Sequence, residues 1–348
     1  MTNREPIGTD SDGTVVPVDL SGWFSGDPER MHRVAREVDQ ACAGSGFLAI
    51  TGHGVSPSLM TRMLDTIQAF FDLPLETKLS STLEDLTRNR GYTPPESEAL
   101  SYSVGVESPP DLFEAFNIGR EVPPPGETPE AIDTYFSQNV WPDEPAGMRA
   151  TFLEYWDACE DLGFTLSDIF AKALELPDGW FRQHLDRSPS VMRTINYQRL
   201  AGSKPAAEGQ LRMGAHSDYG NLTILLADRV AGLQISDDEG QFHDVLPPEG
   251  GFLVNLGDLL AEWTNDRWRS TVHRVVPPPA EVEGEFRRRS VAWFQQPNHD
   301  AHIEVLDSCC SPENPAKYPA TTSGEHLMAK LMGPRESRPS EVDATFLA

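Results

Sequence analysis

The chain has 348 residues, enough for one large domain or two modest ones, and its 39% hydrophobic and 24% charged content is that of a folded globular protein. A formal net charge of −26 argues against nucleic acid and anionic membrane surfaces as partners, because either would meet a field of its own sign. No stretch approaches the roughly 18 apolar residues that span a bilayer. Cys42, Cys159, Cys309 and Cys310 form neither a CxxC pair nor a secreted disulfide framework, so a reducing cytoplasm is the expected compartment.

Residues 1–14 are polar and read as a loose leader. A short strand is expected over 15–20, followed by a helix over 28–43. There Met31, Val34, Ala35, Val38, Ala41 and Cys42 recur at helical spacing, and Gly44 and Gly46 supply the stop. The apolar run 47–51 predicts a buried strand, closed by Gly52-His-Gly54. Ser56 before Pro57 marks a helix start, and Leu59, Met63, Ile67, Phe70 and Phe71 give that helix one apolar face. Residues 80–143 are rich in Pro, Ser and Glu, with short strands or loops expected at 90–92 and 111–116. A long helix follows over about 146–174, and a shorter helical segment over 180–185. Beyond Pro189 the period shortens to that of strands, at 191–198, 222–227, 232–236, 242–245, 252–255, 272–276 and 289–295, separated by Gly, Pro and Asp. Many short strands between turn signals read as a sandwich or closed jelly roll.

Chemistry concentrates in Met213-Gly-Ala-His-Ser-Asp-Tyr-Gly220. On an extended chain alternate residues share a face, so His216 and Asp218 project together as two corners of a metal site. His273, in the strand pattern Ser270-Thr-Val-His-Arg-Val-Val276, is the best third ligand. Two histidines and a carboxylate on one face of an octahedron leave three open positions, the arrangement of non-haem iron(II) oxygenases. Arg288 and Ser290, again two apart on a strand, supply a guanidinium fork and a hydroxyl suited to a carboxylate. Alone, Arg287-Arg-Arg289 would read as a solvated basic cluster; downstream of a metal triad it reads as a clamp for a dicarboxylate. The other histidines have plainer readings. His53 sits in a turn, His243 and Asp244 point to opposite faces, and His299 and His302 lie in a loop. Asp258 is read as organising a turn.

These motifs occur in a familiar order. With Gly52-His-Gly54, Phe70-Phe-Asp-Leu-Pro74, Arg90-Gly-Tyr92 and Glu114-Ala-Phe-Asn117 upstream, and Gly232-Leu-Gln-Ile235 and Val254-Asn-Leu-Gly-Asp258 between the motifs above, the chain resembles the iron(II)/2-oxoglutarate-dependent dioxygenases of the isopenicillin-N-synthase-like branch over roughly residues 15–330. The resemblance implies an α+β protein with a double-stranded β-helix (jelly-roll) core and a helical N-terminal region packed on it. It implies Fe(2+) held by His216, Asp218 and His273, with 2-oxoglutarate anchored by Arg288 and Ser290 and O2 as the second co-substrate. Tyr197 stands where the branch often has a tyrosine reaching the co-substrate, although Gln198-Arg199 replaces the usual Pro-Pro.

The expected organisation is a leader over 1–14, a mainly helical region over 15–185, the catalytic core over 186–305 and a C-terminal helical or loop segment over 306–348. The expected activity is hydroxylation, desaturation or ring closure of a small organic substrate in specialised-metabolite biosynthesis of the antibiotic type, with release of succinate and CO2. Phe294, Tyr219 and the 95–117 stretch are expected to face that substrate. Two other readings stand beside this one, a 2-oxoglutarate-independent iron oxidase of the isopenicillin N synthase type and a non-catalytic binding protein on the same scaffold.

Overall fold

The computed structural model describes residues 15–83, 85, 88–199, 206–279 and 286–336; the expected leader therefore lies outside the described residues. Among the described residues, twelve strands form two facing sheets. In chain order they are β1 (Pro17–Asp19), β2 (Phe47–Thr51), β3 (Gly91–Thr93), β4 (Glu114–Gly119), β5 (Val191–Arg199), β6 (Met213–His216), β7 (Leu222–Ala227), β8 (Leu233–Ser236), β9 (Phe242–Asp244), β10 (Phe252–Leu256), β11 (His273–Val275) and β12 (Phe286–Gln295). The larger sheet runs β1-β2-β10-β7-β12-β5-β4-β3 and the smaller β6-β11-β8-β9. The first four strands, from the Pro- and helix-rich part of the chain, thus complete the sheet whose centre is β7, β12 and β5. This pairing of two sheets is the jelly-roll core.

Three long helices cover the outer face of the large sheet: α1 (Pro28–Gly44), α2 (Pro57–Phe71) and α3 (Met148–Ala173). Asp27 caps α1, its carboxylate accepting from the Glu29 and Arg30 amides, which supplies acceptors for two donors with no partner inside the helix. Ser56 precedes α2 without a capping side-chain bond; Pro57, with its fixed φ and missing N–H, begins that helix instead. On α3, Trp156 packs edge-on against Trp293 of β12 with ring centroids 6.0 Å apart. A Cβ at Gly163 would come within 2.7 Å of the Trp293 ring, so the glycine sets how closely helix and sheet approach.

Two apolar clusters result. The larger lies between the helices and the outer sheet face and includes Val38, Met63, Phe70, Phe152, Leu166, Ile224 and Trp293. The smaller lies between the sheets and includes Phe47, Phe113, Ile195, Tyr197, Met213, Leu233 and Val275. The inner cluster does not fill the space between the sheets with hydrocarbon: several buried polar side chains share it, and they form the site described below.

Several elements differ from expectation. β6 was absent from the expected strands, because Met-Gly-Ala-His has little intrinsic strand preference; pairing with β11 creates it. Residues 258–263 form a short helix, α4 (Asp258–Trp263), where a turn was expected. The helical segment expected over 180–185 is one 3-10 turn, Arg182–His184. Between Pro177-Asp-Gly179 and Pro189 too few residues remain to repay helix nucleation. A final helix, α5 (Ser323–Glu336), is tied back to the core by Lys330, whose ammonium lies 2.6 Å from the Asp258 carboxylate.

Candidate active site

β6 and β11 are antiparallel neighbours in the small sheet, β6 at its edge, with His216 directly opposite His273. Their rings lie 4.3 Å apart between centroids, at 53°. The chain has left the strand by Asp218, so simple strand alternation does not aim this carboxylate. The turn after His216 does so, bringing Asp218 Oδ1 to 3.9 Å from His216 Nε2. One donor atom from each of His216, Asp218 and His273 falls within 4.8 Å of the other two. The three residues that the sequence singled out are therefore brought together, and such a cluster can share one cation.

Each member is oriented from behind. His216 Nδ1 is 2.8 Å from the Gly214 carbonyl and His273 Nδ1 is 3.1 Å from the Thr271 carbonyl. Both rings thus donate from Nδ1, which leaves Nε2 with its lone pair facing the partner residues. Asp218 Oδ2 accepts from the Thr223 hydroxyl and, at 2.6 Å, from Asn255 Nδ2, which leaves Oδ1 for the shared space. The edge of Phe47 packs against His273 at 5.4 Å. Burial, reinforced by the positive charge His273 would carry when protonated, holds His216 below the usual histidine range. Burial would raise the Asp218 carboxyl, but the two imidazoles and the Thr223 and Asn255 bonds outweigh it and keep it low. The cluster thus favours one carboxylate and free imidazole nitrogens, a donor set suited to a divalent transition metal.

The second predicted group lies across the cavity on the large sheet. Arg288 is opposite Tyr197 in the β12–β5 register, and Ser290 opposite Ile195. Alternation puts Phe286, Arg288, Ser290 and Phe294 on the inner face of β12. Arg288 is 2% exposed, with its guanidinium 5.4 Å from the centre of the Tyr197 ring. It has no ion pair among the described residues, and its Nε is buried without a hydrogen-bond partner. A cation so placed is costly unless an anion joins it. Tyr197 is equally buried; its hydroxyl meets Met213 Sδ at 3.5 Å and also bonds to the Ser290 hydroxyl.

Other buried polar atoms surround the two groups: Asp111 and Asn117 fall in the 95–117 stretch expected to face the substrate, whereas Arg193 and Arg212 were not among the expected site residues. Asn117 and Arg193 are register partners on β4 and β5. Asn117 Oδ1 and Arg193 Nε are buried without hydrogen-bond partners, while Arg193 Nη2 reaches Glu98 at 2.9 Å. Asp111 braces the 95–112 segment against β6, one oxygen accepting from the Leu100 and Gly214 amides and the other lacking a partner among the described residues. Arg212 is also buried with both terminal nitrogens unpartnered. No local pattern marks these residues. They matter because strand pairing carries polar groups into an enclosed space, and only the absence of a partner in the fold reveals them.

The remaining histidines serve elsewhere. His53 Nε2 is 3.0 Å from the Gly250 carbonyl and His53 Nδ1 accepts from the Val55 amide. His243 pairs with Asp237 at the surface, His299 pairs with Glu127 and stacks on Tyr135, and His302 lies beside Glu304. Asp258 receives Lys330 and the Ser217 hydroxyl. All four cysteines are free thiols. Among the described residues, no helix is long and apolar enough to cross a membrane.

Known proteins place this geometry in context. Residues 16–144 match the model of the non-haem dioxygenase in morphine synthesis N-terminal region, and residues 189–297 match that of the 2OG-Fe(II) oxygenase superfamily. The chain is 32% identical over 319 residues to the 2-oxoglutarate-Fe(II) type oxidoreductase hxnY of Emericella nidulans, covering 89% of this chain and 87% of the relative. It is 32% identical over 325 residues to the validamycin A dioxygenase of Streptomyces hygroscopicus subsp. limoneus, covering 91% and 86%. A full-length Neurospora crassa protein, crystallised with α-ketoglutarate, superposes with a TM-score of 0.81 at 32% identity, covering 93% of this chain and 98% of that one. Two matched halves, full-length relatives and a shared three-dimensional core agree: the chain belongs to the 2-oxoglutarate–iron(II) oxygenase superfamily and is an iron(II)- and 2-oxoglutarate-dependent dioxygenase.

Proposed function

We propose that His216, Asp218 and His273 hold the iron(II) and that Arg288, with Ser290, anchors the far carboxylate of 2-oxoglutarate, the enzyme oxidising a small polar molecule at a C–H bond. The observation that carries this reading is the buried Arg288 guanidinium, unpaired among the described residues and across the cavity from the His-Asp-His cluster. A dicarboxylate spanning the two would satisfy both. Bound iron(II) supplies the activation of O2, coupled to oxidative decarboxylation of 2-oxoglutarate to succinate and CO2. The protein's own part is to orient and to exclude water. The Gly214 and Thr271 carbonyls fix the imidazole tautomers, Thr223 and Asn255 turn one carboxylate oxygen of Asp218 inward, and Phe47 closes one side of His273.

The substrate side is lined by Asn117, Arg193 and Asp111, with Phe294 on the same face of β12 as Arg288, and with Tyr219 on the turn that follows the metal strand. The unpartnered Arg193 Nε and the unpartnered Asn117 and Asp111 oxygens favour a ligand carrying hydrogen-bonding groups of both kinds over a plain hydrocarbon. The Neurospora protein has also been crystallised with thymine, a small polar ring, and the Streptomyces relative is named for validamycin A. A tailoring oxidation in specialised metabolism of the antibiotic type, in the cytoplasm, is the reading that joins these observations, with hydroxylation as its simplest form.

Two measurements test the assignment. In an anaerobic titration of iron(II)-loaded protein with 2-oxoglutarate, a saturable visible charge-transfer band is expected. In Arg288→Ala it should need at least tenfold more 2-oxoglutarate, in keeping with the loss of a charged hydrogen bond of about 1.5–3 kcal/mol. An unchanged band in Arg288→Ala at the same 2-oxoglutarate concentrations would overturn the clamp. Separately, Thr223→Val and Asn255→Leu should each weaken iron(II) binding by roughly 10–100-fold, the usual cost of losing an outer-sphere partner. Unchanged iron affinity in both variants would remove Asp218 from the ligand set.

A further inference from the structure

A second buried arginine has no role in the reading above. Arg212 lies at the entrance to β6, four residues before His216, and its backbone N–H donates to the Val275 carbonyl at 2.9 Å. Its side chain turns inward and is 2% exposed. The guanidinium carbon rests 4.5 Å above the centre of the Phe286 ring, and Phe286 stands two residues before Arg288 on the same face of β12. Both Nη1 and Nη2 are buried with no hydrogen-bond partner, and Arg212 has no ion pair among the described residues. Burial, which the like charge of Arg288 reinforces, brings its pKa down to about 10. Two buried guanidiniums, the charge of one acting on the other and neither in an ion pair among the described residues, make an expensive arrangement that a shared carboxylate would relieve.

Position along β12 says which carboxylate. Phe294, near the end of the strand, pairs with Thr223, whose hydroxyl holds the Asp218 carboxylate, so this end lies at the level of the metal cluster. Arg288 is six residues back toward the start of the strand, and Phe286, beneath Arg212, is eight. Seen from the metal, Arg212 is therefore the deeper of the two arginines. A substrate must present its carbon at the metal, whereas the end of 2-oxoglutarate remote from the metal points toward the strand's start.

Building on the clamp proposed above, we infer that Arg212 is a second 2-oxoglutarate-binding residue that shares the distal carboxylate with Arg288. Two guanidiniums then meet one carboxylate from two sides, each able to donate through its terminal nitrogens. The cavity thereby selects a 2-oxo acid with a second acidic group at the right reach. A 2-oxo acid without that group gains nothing from either arginine.

The test is anaerobic titration of the iron(II)-loaded full chain, read by the charge-transfer band, with 2-oxoglutarate and with pyruvate, which offers the same chelating end and no second carboxylate. Wild type, Arg212→Met, Arg288→Met and the double variant are compared, with Arg212→Lys as the conservative control. Arg212→Met is expected to raise the Kd for 2-oxoglutarate by about tenfold or more, to leave that for pyruvate unchanged, and to be partly rescued by Arg212→Lys. Its thermal midpoint without ligand should equal or exceed that of wild type, because an unpaired buried cation has gone; a merely structural arginine would lower it. A 2-oxoglutarate Kd within twofold of wild type overturns the inference, as does equal weakening toward pyruvate. If Arg288→Met weakens 2-oxoglutarate and Arg212→Met does not, the clamp stands and the second arginine falls. If neither matters, the clamp itself is wrong.

Discussion

Asp218→Asn is expected to abolish 2-oxoglutarate turnover while leaving the far-ultraviolet circular dichroism unchanged. The variant is nearly isosteric, and its amide oxygen can occupy the place of Oδ2 and still accept from Thr223 and Asn255. Its NH2 group would then face the two imidazoles and offer them donors where a ligand lone pair stood. With one of the three proposed ligands gone, iron(II) binding should fall by more than the roughly 10–100-fold that an outer-sphere loss costs. His216→Ala and His273→Ala should do the same, since each removes one of three donor atoms lying within 4.8 Å of one another. Asp218→Ala is the less informative choice, because it also strands the Thr223 and Asn255 donors. Succinate release at even a tenth of the wild-type rate in Asp218→Asn would show that the carboxylate is not a ligand. Direct iron(II) titration separates lost metal from lost chemistry.

The largest expected effect on stability lies outside the active site, at Glu114. This residue opens β4 and points away from the cavity into a buried polar knot. Oε2 receives the Lys78 ammonium at 2.7 Å and the Tyr92 hydroxyl at 2.5 Å, and Oε1 receives Asn196 Nδ2 at 2.8 Å. Lys78 is 8% exposed, so its charge has no recourse to water when the partner is removed. Glu114→Ala should therefore cost about 3–5 kcal/mol, the usual result of breaking a buried ion pair from one side, and lower Tm by roughly 5–10 °C. The double variant Lys78→Met, Glu114→Gln should recover much of that loss, because no charge then stays buried without a counter-ion. Chemical denaturation of the single and double variants measures both numbers. A single-variant loss below about 1 kcal/mol, typical of an exposed pair, would mean that the knot is hydrated in solution.

Both predictions concern residues that the sequence exposes in different ways. His216, Asp218, His273, Arg288 and Ser290 were legible because their chemistry is sparse and their spacing regular: an H-x-D, a later histidine in a strand pattern, and an R-x-S. Tyr197 was legible as a position, and the structure adds its contacts with Ser290, Met213 and the Arg288 guanidinium. The long helices and most strands were legible for a related reason, since their apolar residues recur at periods of 3.6 and 2 over many positions. Glu114 was visible only as part of a family motif, and its partners Lys78, Tyr92 and Asn196 come from other elements.

Sequence by itself therefore determined the class of fold, the order of the elements and the reaction class, because amphipathic periodicity and ligand chemistry are local properties. Only the tertiary structure decided three further matters. It made a strand of residues 213–216 by pairing them with β11, against their weak propensity, and so set His216 opposite His273. It aimed Asp218 by a turn after the strand had ended, with Thr223 and Asn255 choosing which oxygen faces inward. And it left nitrogens of Arg193, Arg212 and Arg288 buried and, among the described residues, without partners, which no reading of a basic residue in an acidic chain could foresee. The physical reason is common to all three: whether a polar group is satisfied depends on what the fold brings within about 3 Å of it, and that neighbourhood is assembled from residues far apart in the chain.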